Sequence, residues 1–334
     1  MIAVLMSGGV DSSVSAYLLK KQNIEIEGIT YKLFDSEDDS SIRDAKSVCD
    51  FLNIKHTVLN LSPEFKLNVI DYFISEYCSG RTPNPCVMCN KTIKFGDILN
   101  RFDKIATGHY CKIEQINGRY TVKRTNNIKD QSYYFCMLSQ EQLKKIITPV
   151  SNLTKDQVRK IAYENNIHVH DKKDSQDICF IKESYKDFLK KYGVEDNPGS
   201  FIDEDGKILG HHNGIFNYTV GQRKGLNVSS NCRLYVKKID HISNDIILSK
   251  RNSIKNIRII NLNFILFTKE NIYENVQVCV RYNCIPTDAS IKVNDDEAII
   301  NFESPVYHAC PGQFAVCYYK GFLALSGVID EIWF

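Results

Sequence analysis

The chain has 334 residues, is 43% hydrophobic and 25% charged, and carries a formal net charge of +2. That length accommodates two or three domains with separate cores, and the near-neutral charge means that any nucleic-acid partner would have to be gripped by local basic patches. No apolar run is long enough to span a bilayer and the first strand begins at Ile2, so a cytoplasmic, membrane-free protein is expected; a monomer is expected as well.

Residues 2–6 (Ile-Ala-Val-Leu-Met) read as a short buried strand, and Ser7-Gly8-Gly9-Val10-Asp11-Ser12-Ser13 follows before a helical pattern over 14–22. Two glycines permit a turn that other residues resist and leave no side chain to block a ligand. The hydroxyls and the N–H groups of the helix start converge on one spot, which suits an anion such as a phosphate. The string lacks the Gly-Lys-Ser/Thr ending of a Walker loop, which excludes that kinase or GTPase signature.

Further strands are predicted at 24–32, 56–60 and 104–107, with helices at 41–52, 63–77 and 93–101. The alternation predicts an α/β domain whose parallel sheet has helices on both faces. Ligands bind such sheets at the carboxyl ends of the strands, where residues 7–13 and Gly108-His109 emerge. Asn117-Gly118 signals a hairpin that leaves this sheet. Thr154-Lys155-Asp156-Gln157 is a capping-box start for a helix over 158–165. Residues 174–181 read as a loop around Cys179, and 184–192 as a short amphipathic helix. From about 193 the texture becomes rich in turns and glycine. After 256, short strands at 257–263, 276–282, 290–293, 298–302, 315–319 and 323–329 suggest a barrel or sandwich. The expected domains are 1–192, a small central domain at 193–255, and a C-terminal β-barrel at 256–334.

Twelve cysteines are many for this length, yet the chain is not the small, loop-rich type that disulfides staple. Cys49, Cys78, Cys111, Cys136, Cys232, Cys279 and Cys317 lie in apolar or strand-like contexts and read as small buried hydrophobes. Cys86, Cys89 and Cys179 stand apart. Pro83-Asn84-Pro85-Cys86-Val87-Met88-Cys89 predicts a stiff extended loop presenting two thiols. Such a pair serves redox exchange, half of a zinc site, or iron–sulfur ligation. No second C-x-x-C pair exists to complete a four-cysteine zinc site.

Residues 7–13 resemble the pyrophosphate-binding loop of the N-type ATP pyrophosphatases (adenine nucleotide alpha hydrolase-like), which implies cleavage of ATP between the α and β phosphates. From end to end the chain resembles the tRNA-specific 2-thiouridylase family of the MnmA type. The resemblance is carried by residues 6–13, TPNPCVMCNKTIKF at 82–95, ATGHY at 106–110, Lys129-Asp130-Gln131-Ser132-Tyr133, KDSQDICFI at 173–181, YTVGQRKGL at 218–226, Arg281-Tyr282 and Pro311-Gly312-Gln313. It implies that Leu5, Met6, Ser7, Gly8, Gly9, Val10, Asp11 and Ser12 form the ATP loop, with Asp11 acting through Mg²⁺, and that Tyr31 and Gly108 also contact the nucleotide. It implies Cys179 as the persulfide carrier and Cys89 as the nucleophile that forms a disulfide with it. Asn84, Pro85 and the residue at 86 would line the target base, while His109, Lys129, Asp130, Gln131, Arg281, Tyr282 and Gln313 would contact tRNA.

The implied activity is that of a tRNA-uridine 2-sulfurtransferase. C2 of the wobble uridine is adenylated by ATP and its oxygen replaced by sulfur, giving AMP and pyrophosphate. The implied partners are the wobble-uridine tRNAs for Lys, Glu and Gln, with a cysteine desulfurase or sulfur-relay protein as donor. One departure matters: the family commonly has aspartate where this chain has Cys86. Three thiols in one site would also suit a [4Fe–4S] cluster ligated by Cys86, Cys89 and Cys179, a second mechanistic reading. Two other functions compete, namely another ATP-dependent ligase or amidotransferase of the superfamily, and a non-catalytic tRNA-binding protein.

Overall fold

The structure, a computed structural model, describes residues 1–34, 40–125, 129–172 and 178–334, without the side chains of Asp97 and Asn100. The chain divides into two compact units. One comprises Met1–Val69, Cys86–Asp177 and Gly321–Leu323; the other comprises Ile70–Pro85, Ile178–Lys320 and Ala324–Phe334.

In the first unit β1 (Ile2–Leu5) leads into α1 (Val10–Lys21), followed by β2 (Ile26–Lys32), α2 (Ser40–Phe51) and β3 (His56–Asn60). Next, α3 (Ser62–Phe65) continues through a wider turn at Lys66–Ile70 into α4 (Asp71–Cys78), and α5 (Pro85–Cys89) starts the return to this unit. It is completed by β4 (Lys104–Ala106), the hairpin β5 (Lys112–Ile116) and β6 (Arg119–Lys123), α6 (Gln140–Lys145), β7 (Ile146–Ile147) and α7 (Lys155–Glu164). The sheet order is β3-β2-β1-β4-β7, and every pairing is parallel.

Parallel strands covered on both faces must be apolar throughout, and Ala3 and Val4 of β1 are fully buried. Val10, Val14, Ala16 and Leu19 of α1 join Val48 and Cys49 of α2, Ala106, and Val158 and Ala162 of α7 in one core. Burying each such valine or leucine contributes roughly 1.5–3 kcal/mol. Helix α7 begins at the expected capping box: Thr154 Oγ1 accepts from Gln157 N and the Gln157 side chain returns to the Thr154 backbone.

Two sequence expectations are corrected here. The loop over 83–89 is not extended. Pro85 opens a helical turn, because its fixed φ suits the first helical position and its missing N–H costs nothing there. The helix over 93–101 is instead a π-type turn at Asn90–Lys94 and a 3₁₀ turn at Asp97–Asn100, separated at Gly96, a poor helix former.

In the second unit α8 (Tyr185–Lys191) precedes a four-stranded sheet of β8 (Gly199–Ile202), β9 (Ile208–His212), β10 (Tyr235–Asp240) and β11 (Asp245–Ser249), ordered β10-β11-β8-β9. Six strands follow: β12 (Ile254–Phe264), β13 (Ile272–Cys279), β14 (Thr287–Asn294), β15 (Glu297–Val306), β16 (Phe314–Tyr319) and β17 (Phe322–Trp333). Their order is β12-β15-β14-β13-β16-β17, and β12 also pairs with β17, which closes a barrel and removes both edges. Alternating side chains such as Ile257 and Ile259, Val276 and Val278, and Ala298 and Ile300 fill its interior. No helix among the described residues is long and apolar enough to cross a membrane.

Candidate active site

The segment 6–12 leaves β1 at its carboxyl end and turns sharply into α1. Gly8 has φ +68, and a Cβ there would lie 2.3 Å from the Ser41 carbonyl oxygen, so the turn demands glycine twice over. Ser12 Oγ receives the Ser7 N–H at 3.2 Å, lies 3.2 Å from Ser7 Oγ and donates to the Gly9 carbonyl at 3.0 Å. Ser13 Oγ donates to the same carbonyl at 2.9 Å. These bonds rigidify the loop from within. The first turn of α1 presents N–H groups that no helical carbonyl can satisfy, a ready site for an anion.

Around this loop the structure gathers Tyr110, Lys155 and Lys172, of which Tyr110 and Lys155 were not assigned a role from sequence. Asp11 accepts from Tyr110 Oη at 2.6 Å and from Lys155 Nζ at 2.7 and 2.8 Å. The Lys155 side chain is only 12% exposed, so this cation is held at the loop rather than displayed to solvent. Lys172 Nζ donates to the Gly8 carbonyl at 3.0 Å and to Asp44 at 2.5 Å. Arg159 holds the chain before it, donating to the His170 and Lys172 carbonyls at 2.8 and 3.0 Å. The available signal for Lys155 was its place just inside a helix start, which reads equally well as a surface cation. Gly108 has a packing explanation: a Cβ there would meet the Asp11 carbonyl carbon and Ser12 N, both at 2.8 Å. Its lack of a side chain lets the chain after β4 press against the start of α1.

Cys86 and Cys89 lie three residues apart on α5, hence on one helical face. Cys89 is buried and Cys86 partly buried. Burial raises the Cys86 thiol above its ordinary value, and the nearby Lys94 ammonium only partly offsets this. The Cys86 thiol therefore stays protonated at neutral pH. Tyr31 Oη donates to the Lys94 carbonyl at 3.3 Å, and burial together with the Cys89 thiol drives its pKa upward. Tyr31 thus packs beside the thiol-bearing segment. His109 Nδ1 is 2.8 Å from Thr107 Oγ1 and its ring lies against Phe95 and Phe135. Burial, helped by Lys94, lowers its pKa well below the ordinary value, so the imidazole is neutral.

Three of the remaining expected contacts, Asp130, Gln131 and Gln313, are engaged within the protein. Asp130 accepts from Thr125 N at 2.8 Å and Ser132 Oγ at 2.6 Å, and Gln131 exchanges bonds of 2.9 and 3.0 Å with the Tyr110 backbone. Lys129 is partly buried beside them. In the second unit, Gln313 Nε2 donates to the Thr82 and Pro83 carbonyls at 2.9 and 3.1 Å, steadying the strip that carries Asn84 and Pro85. Arg281 is exposed and Tyr282 partly buried, just after β13.

Cys179 belongs to this second unit and is exposed, whereas its neighbours Ile178, Phe180 and Ile181 pack against Phe73, Tyr77 and Leu189. Phe180 meets Phe73 edge-on with centroids 5.5 Å apart. The flanking apolar residues therefore anchor a short turn that displays the thiol. Residues 173–177 of the same motif lie outside the described residues. Cys78 and Cys232 are exposed, not buried as expected; Cys232 lies among the exposed polar residues Ser230, Asn231 and Arg233. Among the described residues, no three His, Cys, Asp or Glu side chains come together as a metal-holding group.

Three family models match in order along the chain: a tRNA methyl transferase HUP domain over residues 1–183, a tRNA methyl transferase PRC-barrel domain over 186–250, and an aminomethyltransferase beta-barrel domain over 254–329. A relative named tRNA-specific 2-thiouridylase MnmA 2, from Clostridium botulinum strain Hall, is 42% identical over 348 residues, covering 99% of each chain. One named MnmA 1 from Caldanaerobacter subterraneus subsp. tengcongensis is 42% identical, covering 99% of this chain and 97% of its own. A third, named MnmA, from Clostridium acetobutylicum, is 40% identical over 98% of each. Among solved structures, a predicted subunit of tRNA methyltransferase from Methanocaldococcus jannaschii matches at a TM-score of 0.36 and 23% identity, over 49% of this chain and 74% of that one.

Proposed function

The chain belongs to the MnmA-type family of tRNA-specific 2-thiouridylases, and on that premise we propose that it uses ATP to replace O2 of the wobble uridine in tRNA with sulfur. One observation supports the reading: the loop over 6–12 at the end of β1 and the Cys86 and Cys89 thiols of α5 belong to one compact unit. A phosphate cradle with thiols serves activation and sulfur transfer rather than the methyl transfer that two domain descriptions mention.

Oxygen at C2 of uridine is a poor leaving group. In the proposed first step it attacks the α-phosphorus of ATP, pyrophosphate departs, and the base carries a good leaving group, AMP. The loop over 6–12 would hold the departing phosphates through its orphan N–H groups and hydroxyls. Asp11 would hold Mg²⁺, which would supply positive charge against the phosphates, and Lys155 beside it would neutralise the charge that develops on them. Asn84, Pro85 and Cys86 would receive the uridine, which must leave its stack to be reached.

In the second step the terminal sulfur of a Cys179 persulfide attacks C2 and AMP leaves with the former O2. The Cys89 thiolate then attacks the inner sulfur of Cys179. The S–S bond to the base-linked sulfur breaks, leaving 2-thiouridine and a Cys89–Cys179 disulfide that an external thiol must reduce. His109, held neutral, would be available as an uncharged hydrogen-bonding neighbour of the RNA. The assay is pyrophosphate release with ATP and unmodified tRNA. Release that depends on tRNA supports the reading, and release indifferent to tRNA overturns it.

A further inference from the structure

We propose that the loop between β9 and β10 grips phosphates of the RNA backbone, with Arg223 and Arg233 lining a cleft and the exposed Lys224 following Arg223 in the chain; the proposal rests on the tRNA reading above. Residues 206–239 contain six lysines and arginines and no aspartate or glutamate, in a chain whose net charge is only +2. A cleft of about 220 Å³ lies within this stretch, and Arg223, Gly225, Asn227, Ser230, Cys232 and Arg233 are among the residues that line it.

Two features separate this cluster from an ordinary solvated face. First, the loop is anchored. Leu226 is buried, and Val228 and Leu234 pack with it into the core around Phe201, Val236 and Leu248. Gly221 N donates to the Val236 carbonyl at 2.8 Å and Val236 N to the Gln222 carbonyl at 2.9 Å. Apolar residues join the core, Arg223, Lys224 and Arg233 are exposed, and Arg223 and Arg233 line the same cleft. Second, the cations lack partners. Arg81 is tied to Glu76 and Asp330, Arg258 to Asp330 and Glu331, Lys155 to Asp11, and Lys237 to Glu204. Arg223, Lys224 and Arg233 form no ion pair or side-chain hydrogen bond among the described residues. Arginine presents a planar fork that matches a phosphate, and Ser230 and the Asn227 amide stand beside it as neutral donors.

Three phosphate contacts have a measurable consequence. Each releases condensed counterions, so the slope of log affinity against log salt changes by roughly 0.7–0.9 per contact. The test is tRNA binding by the full-length protein across a salt series, for wild type, Arg233→Gln, and the triple variant Arg223→Gln/Lys224→Gln/Arg233→Gln. The proposal expects the slope to fall by about 2–3 in the triple variant and about one in the single variant, and affinity near 0.1 M salt to drop on the order of tenfold in the triple variant. Unfolding midpoints verify folding, and the single exposed substitution serves if the triple variant does not fold.

An unchanged slope, with wild-type pyrophosphate release still dependent on tRNA, overturns the cleft and leaves the thiolation reading standing. Loss of polyglutamate binding without a change in the tRNA slope overturns it in favour of an acidic protein partner. Pyrophosphate binding lost in the variant at an unchanged tRNA slope assigns the cleft to a free phosphate instead. Absence of tRNA binding by the wild type removes both proposals.

Discussion

Replacing Lys155 with methionine keeps most of the unbranched side chain and removes its charge. The ammonium touches both Asp11 oxygens at 2.7 and 2.8 Å, and the two side chains are 12% and 30% exposed. At an effective dielectric of about 20 the gross attraction is about 6 kcal/mol. Most of that is offset by desolvation: exposed pairs contribute about 0–1 kcal/mol, while breaking a fully buried pair costs about 3–5 kcal/mol. This pair lies between those limits, and Asp11 keeps its bond to Tyr110. The expected loss of stability is therefore about 1–2 kcal/mol, read from urea unfolding. The expected loss of activity is larger. A cation poised for charge that develops on departing phosphates is worth roughly 3–4 kcal/mol, or a factor of about 10²–10³ in tRNA-dependent pyrophosphate release. Lys155→Arg should recover part of it. A Lys155→Met enzyme that loses stability but releases pyrophosphate within about twofold of wild type would refute the reasoning and reduce Lys155 to a structural clamp on Asp11.

Two other outcomes test the same framework. Gly8→Ala places a side chain at φ +68 and against the Ser41 carbonyl, so it should destabilise by at least 1–2 kcal/mol (roughly the left-handed penalty alone) and weaken ATP binding measured by equilibrium titration. Gly118→Ala, at φ +80 but with nothing within 4 Å, should pay only the conformational part and leave ATP binding intact. His109 has a folded pKa held well below 6.5 by burial. Below pH 6.5 the unfolded chain therefore binds a proton that the folded chain refuses, and stability falls as pH falls. By pH 5 the loss is at most about 2 kcal/mol, and His109→Gln should flatten that limb in urea titrations at pH 7.5 and 5.0.

The parts of this molecule most legible in its sequence are those set by local pattern. An apolar strand followed by Ser-Gly-Gly and a helix start can pack in few ways, and the alternating strands after residue 256 bury one face each, which closes them into a barrel. The capping box at Thr154 is likewise a local device. Features set by tertiary contact were not legible. Lys155 and Tyr110 reach Asp11 across 144 and 99 residues, and nothing in their immediate neighbours encodes that meeting. The helix at Pro85 was misread because prolines suggest extended chain unless one falls on a first helical position. The four-stranded central sheet was obscured by turns and glycines between short strands. Asp130, Gln131 and Gln313 fit surface contacts in a motif, yet each is bonded to backbone or side chains within its own unit.

The central claim is that sulfur reaches an adenylated uridine through Cys179, the thiol that Ile178 and Phe180 hold out to solvent. Mass spectrometry of the wobble uridine, after reaction of unmodified tRNA with ATP and a sulfane-sulfur donor, tests it most directly. Wild type should exchange oxygen for sulfur. Cys179→Ser should not, while still releasing pyrophosphate in the presence of tRNA, because activation precedes sulfur transfer. Thiolation by Cys179→Ser at the wild-type level would contradict the account.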